Sequence, residues 1–349
     1  SLYIFILSLL CFLVQGYAQQ PYSIHINQAN GLPSNSVYNI FQDTKGYVWI
    51  ASQEGITRCD GMEYKTYKCH AQVSTAGSCI KEDKFGRIWY ENFDGRLYYV
   101  YQDSLHALDQ KSIFNYAPYS ITDKYLMIVQ HNGIDIYDIN NLSFLKKIVI
   151  LTNIELFESS YAIGNDFYFI FEDILYHLNH KLELNHSDYF LGKAEKIKQI
   201  YASDSIVFVL SKLNSYQSLY VFDRSLKHQR IISIPEPKLI QGANFIDGKF
   251  WIHTASGTYI YNQYERDSNK QFQLFKGKSV SGLLKDRQSN YWFSTTSEGA
   301  FLMPDIEHKF YPTKDFVPIK IVKTDKYFLV ANKDASFIKF SPNKTIELP

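Results

Sequence analysis

Apolar and polar positions along this chain follow a short-range pattern that returns about every forty residues. The stretches Tyr47–Ser52, Arg96–Tyr101, Gly257–Asn262 and Phe337–Phe340 alternate or run as short segments rich in β-branched and aromatic residues. None of them carries an apolar face at i, i+3 and i+4, so the pattern predicts strands and excludes helical repeats of similar length. A large apolar residue recurs at 49, 89, 127, 169, 208, 251, 292 and 329, in steps of 37 to 43 residues. Units of this period, each a set of short strands, are the sequence signature of propeller blades. The expectation is an all-β protein, a β-propeller of four-stranded blades with seven or eight blades.

The clearest unit reads Asp43-Thr-Lys-Gly46-Tyr-Val-Trp49, then Glu54-Gly55, then Asp60-Gly61. It returns as Asp83-Lys-Phe-Gly86-Arg-Ile-Trp89 with Asp94-Gly95, and as Asp286-Arg-Gln-Ser-Asn-Tyr-Trp292 with Glu298-Gly299. A shortened copy starts at Asp247-Gly248 and holds Trp251, and weaker copies start at Asp123, Asn165, Asp204 and Asp325. Another Gly of the pattern falls at Asn132-Gly133. Asp followed three residues later by Gly suits a type I turn, the carboxylate accepting backbone N–H groups and Gly taking the last position. Such a turn joins the first two strands of a blade and places the Trp inside the second strand, where it can fill the wedge between blades. Glu54-Gly55 opens the third strand, and Asp60-Gly61 is a hairpin signal into the fourth.

Both ends of the chain add to this organisation. Leu2–Val14 is an uncharged run of 13 residues followed by Gly16 and Ala18. That is short for a membrane span, which takes about 20 residues, and the small residues suit a signal-peptidase site. Residues 1–18 are expected to be a secretory signal peptide; Leu10 before Cys11 is too large for a lipoprotein site. Tyr22–Ile26 alternates and could supply the outer strand of the last blade, closing the ring. Residues 19–312 hold seven repeats, and 313–349 hold an eighth that either closes the ring or starts a second propeller. The absence of an initial Met and of a later span leads us to expect an N-terminal fragment of a longer protein.

Composition narrows the function classes. Hydrophobic residues make up 46% of 349, enough for a packed core. Lys and Arg total 36 against 35 Asp and Glu, a balance that argues against nucleic acid as a partner. Aromatics reach 16%, with 28 Tyr and 25 Phe, as suits pleated surfaces. After cleavage, Cys59, Cys69 and Cys79 remain, an odd number; a Cys69–Cys79 bridge is the alternative to three free thiols.

Candidate chemistry is thin. Asp43, Asp83 and Asp286 are read as turn residues rather than acids of a site. His177, His180 and His186 form H-x2-H-x5-H, read as a polar loop rather than a metal site. Gly277-Lys278-Ser279 resembles the tail of a phosphate loop, but Phe272 replaces its first Gly. Ser34-Asn35-Ser36 follows Gly31-Leu32-Pro33 and reads as a turn. No residue is picked as catalytic, metal-binding or cofactor-binding, and no cofactor is expected. Sialidase boxes read S-x-D-x-G-x-x-W, one residue tighter than the repeat here. No motif groups three of the arginines at 58, 87, 96, 224, 230, 266 and 287.

The stretch Asn30–Trp49, then Ile56-Thr57-Arg58 and Asp60-Gly61, resembles the opening repeat of the two-component regulator propeller family. The likeness is specific over 30–68, good at 79–100 and 282–303, and weak between about 105 and 240. Cys59 stands where that family usually has Tyr. The resemblance implies the periplasmic sensor region of a membrane-anchored sensor histidine kinase or hybrid two-component protein. It further implies a signal ligand, with oligosaccharides among the ligands sensed, a downstream kinase module in the same protein, and a dimer in the full-length molecule. A secreted scaffold for protein–protein interaction is the alternative, and a propeller glycosidase or lyase a more distant one.

Overall fold

The computed structural model describes residues 21–348, except 62, 112–117, 131–132, 151–159, 172–173, 189–197, 203–205, 214–215, 235–239, 263–271, 305–317, 325–326, 333–336 and 342–343. The signal peptide expected at 1–18, Cys11, and Asn132, Asp204, Arg266 and Asp325 lie outside the described residues.

Strands form eight antiparallel sheets of four. The chain divides into two units, one of them Tyr22–Ile306. Seven of the sheets fall in that unit and are the blades of a β-propeller. Blades 1 to 6 cover residues 37–67, 77–111, 119–149, 160–186, 198–234 and 240–274, each built from consecutive strands in order. Blade 7 takes three strands from residues 280–303 and its outer strand, Ile24–Ile26, from the start of the unit. Ile24 lies opposite Leu302 and Ile26 opposite Ala300. That pairing is the closure expected of Tyr22–Ile26, and it removes the free edge that blade 7 would otherwise present. In the other unit, Pro318–Lys323, Phe328–Asn332, Phe337–Ser341 and Lys344–Leu348 form a sheet of the same strand order.

The turns show why the repeat has its spacing. Asp43 Oδ1 accepts from the backbone N–H groups of Lys45 (3.0 Å) and Tyr47 (2.9 Å), and Gly46 N donates to Asp43 O at 3.0 Å. Gly46 sits at φ 95°, where a side chain would be strained. The other carboxylate oxygen accepts the indole N–H of Trp49 at 2.8 Å. Asp83 binds Trp89 in the same way at 2.8 Å, and Asp286 binds Trp292 at 2.9 Å. The aspartate therefore fixes both the turn and the tryptophan six residues on. In blade 7, Ser289 takes the glycine position at φ 67°.

Each of these tryptophans packs across a wedge, as expected. Trp49 of blade 1 meets Ile80, Ile88 and Tyr90 of blade 2. Trp89 meets Tyr119, Leu126 and Ile128 of blade 3. Trp292 of blade 7 meets Val37 and Ile50 of blade 1, across the closure. A tryptophan buries up to about 250 Å², worth roughly 6 kcal/mol as an upper bound.

The shortened copy and one of the weaker copies differ from the expected alignment. Asp247 is not a counterpart of Asp43. It and Gly248, at φ 53° and 71°, form a two-residue turn of type I′ between Ile246 and Lys249. Trp251 then donates to Ile246 O at 3.3 Å instead of to a carboxylate. Asp123 gives way to Thr122, whose Oγ accepts from Lys124 N (3.3 Å) and Tyr125 N (3.0 Å).

Candidate functional site in the central channel

The first strand of each blade lies innermost, and residues from all seven line one cavity of about 640 Å³. That volume falls within the range of small-molecule sites. Four of the seven inner strands are bulged. In blades 1, 2, 6 and 7 the register with the second strand slips, between Val37 and Asn39, Ser78 and Lys81, Ile240 and Gly242, and Val280 and Gly282. The inserted residues, Tyr38, Cys79-Ile80, Gln241 and Ser281, all line the cavity. A bulge re-aims a side chain out of the alternating pattern, so these insertions furnish part of the channel wall.

The polar groups of the wall have defined partners. Ser281 donates to Val37 O at 2.6 Å and ties blade 7 to blade 1. Asn39 Oδ1 accepts from Ile80 N at 3.0 Å and ties blade 1 to blade 2. Gln241 Nε2 donates to Ser279 Oγ at 2.7 Å, while its Oε1 is buried with no hydrogen-bond partner. Lys81 Nζ donates to Tyr119 O (2.6 Å) and approaches Ser120 Oγ (3.4 Å), with the Tyr119 ring 4.8 Å and the Tyr161 ring 5.8 Å away. Glu82 also lines the channel, but Thr44 occupies its carboxylate through N–H (2.7 Å) and hydroxyl (2.6 Å) donors.

Burial sets the protonation of the wall. Tyr119, Tyr201 and the Cys79 thiol are all pushed up by burial and stay neutral. His253, on the second strand of blade 6, is fully buried behind Gly242, which leaves room for the ring. Its Nε2 lies 2.8 Å from Asn244 Oδ1 and its Nδ1 3.0 Å from Thr258 Oγ. Burial lowers its pKa to about 3, so the imidazole is neutral at ordinary pH.

Apart from Cys79, which lines the channel, the residues singled out from sequence have structural roles outside it. Asp43, Asp83 and Asp286 are turn residues bound to tryptophans. His177 stacks on Tyr168 at 4.7 Å and pairs with Asp166 at 3.3 Å, and His180 lies 3.9 Å from the same carboxylate. No group of three metal-ligating side chains occurs among the described residues. Ser34 Oγ accepts from Ser36 N at 3.0 Å and Asn35 Oδ1 from Gln28 N at 2.9 Å, a turn. Cys59, Cys69 and Cys79 are free. The channel residues escaped notice because they precede the turn aspartate. The signal was present in the lined-up segments Val37–Gln42, Gly77–Glu82 and Val280–Lys285, each running into Asp.

Comparison with known proteins places this geometry. Residues 31–54, the first blade's opening strands and turn, match the model of the two component regulator propeller family. The chain thus carries that family's repeat, as the sequence resemblance indicated. No curated protein matches it. Its fold is similar to the extracellular domain of a B. thetaiotaomicron protein described as a hybrid two component system, at TM-score 0.63 and 17% identity, over 94% of this chain and 49% of that one. A second such domain from the same organism is similar at TM-score 0.61 and 14% identity, over 94% and 47%. This chain spans about half the length of those two domains. Virginiamycin B lyase from Staphylococcus aureus shares the fold at TM-score 0.61 and 11% identity, over 80% of this chain and 97% of that one. No helix among the described residues is long and apolar enough to cross a membrane.

Proposed function

We propose that this chain is the extracytoplasmic sensor region of a membrane-anchored two-component signalling protein, which passes a ligand or partner signal to a downstream kinase module. The observation that carries the reading is the family match at residues 31–54, set in the first blade of a closed ring. The fold likeness to extracellular domains of proteins described as hybrid two component systems agrees with it. On this reading residues 1–18 direct export, and 318–348 begin a second propeller beyond the first ring. Signal passes only if the ligand binds two arrangements of the protein with different affinity, most simply two arrangements of a dimer.

The test is the reading frame beyond the codon for Pro349. The expected result is further propeller blades, then an apolar span of about 20 residues, then a histidine kinase module. A frame that ends without a span overturns the reading. A phosphatase fused behind Met303 is expected to be active outside the cytoplasm with residues 1–18 present and inactive without them.

A further inference from the structure

The channel wall holds two groups whose hydrogen-bonding capacity the described residues do not fill. Lys81 spends two of its ammonium hydrogens on Tyr119 O and Ser120 Oγ, and the described residues offer no acceptor for the third. Among the described residues, no ion pair includes Lys81. Among the described lining residues, Lys81 is also the one lysine or arginine. Of the carboxylates near it, Glu82 is taken up by Thr44, and Glu91 does not line the cavity. A partly buried cation without a counter-charge is costly, and an anionic ligand oxygen relieves that cost.

Across the channel, Gln241 presents the opposite need. It lines the cavity at a bulge, its amide nitrogen is held by Ser279, and its buried carbonyl oxygen has no donor among the described residues. A buried acceptor left unsatisfied costs free energy that a ligand O–H can recover. Half-buried Ile121 and Leu284 in the lining offer apolar contact for a carbon chain.

We propose that the channel binds a small hydroxylated carboxylate, its carboxylate on Lys81 and a hydroxyl on the Gln241 carbonyl. A single cation matches a single negative charge, and one hydroxyl donor matches the one orphaned acceptor. The proposal deepens the sensor reading and rests on it for its biological meaning, but the binding itself is a property of the ring.

Calorimetric titration of the folded chain tests it with three matched pairs: glycolate and ethylene glycol, glycerate and glycerol, gluconate and sorbitol. Each pair shares its hydroxylated skeleton and differs in the carboxylate. At least one acid should bind about tenfold or more tightly than its neutral partner, the scale of one charge-assisted hydrogen bond. Lys81→Gln should abolish that preference. Gln241→Leu should weaken acid and polyol alike and keep the preference. Lys84→Gln, on the exposed turn of blade 2, should change nothing. Acids that bind no better than their polyols overturn the proposal without any variant, and so does an acid preference that survives in Lys81→Gln. Neither failure touches the sensor reading, which is decided by the downstream reading frame.

Discussion

Blades 6, 7, 1 and 2 and blades 3, 4 and 5 solve one packing problem in two ways. The first arc carries tryptophan on its second strands and bulges on its inner strands. The second arc fills the same wedges with Met127, Phe169 and Tyr168 or Phe208, and its inner strands pair without a register slip. An indole brings a buried N–H that needs an acceptor, and Asp43, Asp83 and Asp286 supply it from the turn. A thioether or a phenyl ring brings no such need, the Tyr168 hydroxyl is met by Arg224 O, and the turn of blade 4 is short. Gly164-Asn165 closes the gap between Ile163 and Asp166 with two residues. In blades 1, 2 and 7 the aspartate motif thus answers the tryptophan's buried N–H, whereas in blade 6 the backbone carbonyl of Ile246 does so for Trp251.

The largest test of this contrast is in blade 2. The Asp83 carboxylate is fully buried and accepts from Trp89 Nε1, Arg87 Nε and the backbone of Phe85 and Arg87. Asp83→Ala strands a buried guanidinium and an indole N–H, and should cost about 3–5 kcal/mol. Thr122→Ala, the corresponding change in blade 3, removes one half-strength cap and should cost about 1 kcal/mol. Urea midpoints of the two variants measure the difference; equal costs would break the comparison.

Blade 6 supplies a test by pH. It has tryptophan but no turn carboxylate, and it buries His253 among neutral partners. With a folded pKa of about 3 against an ordinary value near 6.5, the unfolded chain binds the extra proton between those limits. Stability should therefore fall as pH drops below about 6.5, by roughly 2 kcal/mol from this group at pH 5. His253→Gln is expected to lose that part of the pH dependence in unfolding curves at pH 7 and pH 5.

How much of this was legible in the sequence follows the same division. Period, strand class and the outer strand at Ile24–Ile26 could be read directly, because D-x-x-G-x-x-W ties a turn to a side chain at fixed spacing. Blades 3 to 5 showed only their period: an apolar residue with no polar demand constrains nothing around it. Asp247 misled because aspartate followed by glycine serves two turn types, and only the pairing of Ile246 with Lys249 separates them. The channel was the least legible part. Bulges at Tyr38 and Ser281 depend on which partner residue is skipped, a tertiary fact that a strand's own pattern does not record. Gln241 and Lys81 look like ordinary surface polar residues until the ring closes around them.

The indole N–H can be separated from the indole ring at the closure. Trp292→Phe keeps most of the apolar contact with Ile26, Val37 and Ile50 and removes the donor. Asp286 retains Asn290 Nδ2 at 2.9 Å on the same oxygen, so its carboxylate is not orphaned. The expected cost is about 1 kcal/mol plus the volume lost, well below that of Asp83→Ala. A cost as large as the blade 2 aspartate would mean that ring volume, not the hydrogen bond, holds the arc together.

The smallest effect lies in the one of the three aspartate–tryptophan turns that lacks its glycine. Ser289 occupies the left-handed position, at φ 67°, that Gly46 and Gly86 hold at 95° and 73°. Its backbone N donates to Asp286 O at 3.0 Å, so the turn is formed in spite of the strain. Ser289→Gly relieves about 1 kcal/mol of left-handed strain and adds unfolded-chain entropy worth about 0.4–1 kcal/mol against folding. The two terms nearly cancel, and the net change should be a stabilisation of less than about 1 kcal/mol, read as a small rise in Tm. In blade 1 the reverse change, Gly46→Ser, carries the same two terms with opposite sign and should destabilise by less than about 1 kcal/mol. Opposite signs at these two sites would show that the turn geometry, rather than the residue in it, is what the repeat preserves.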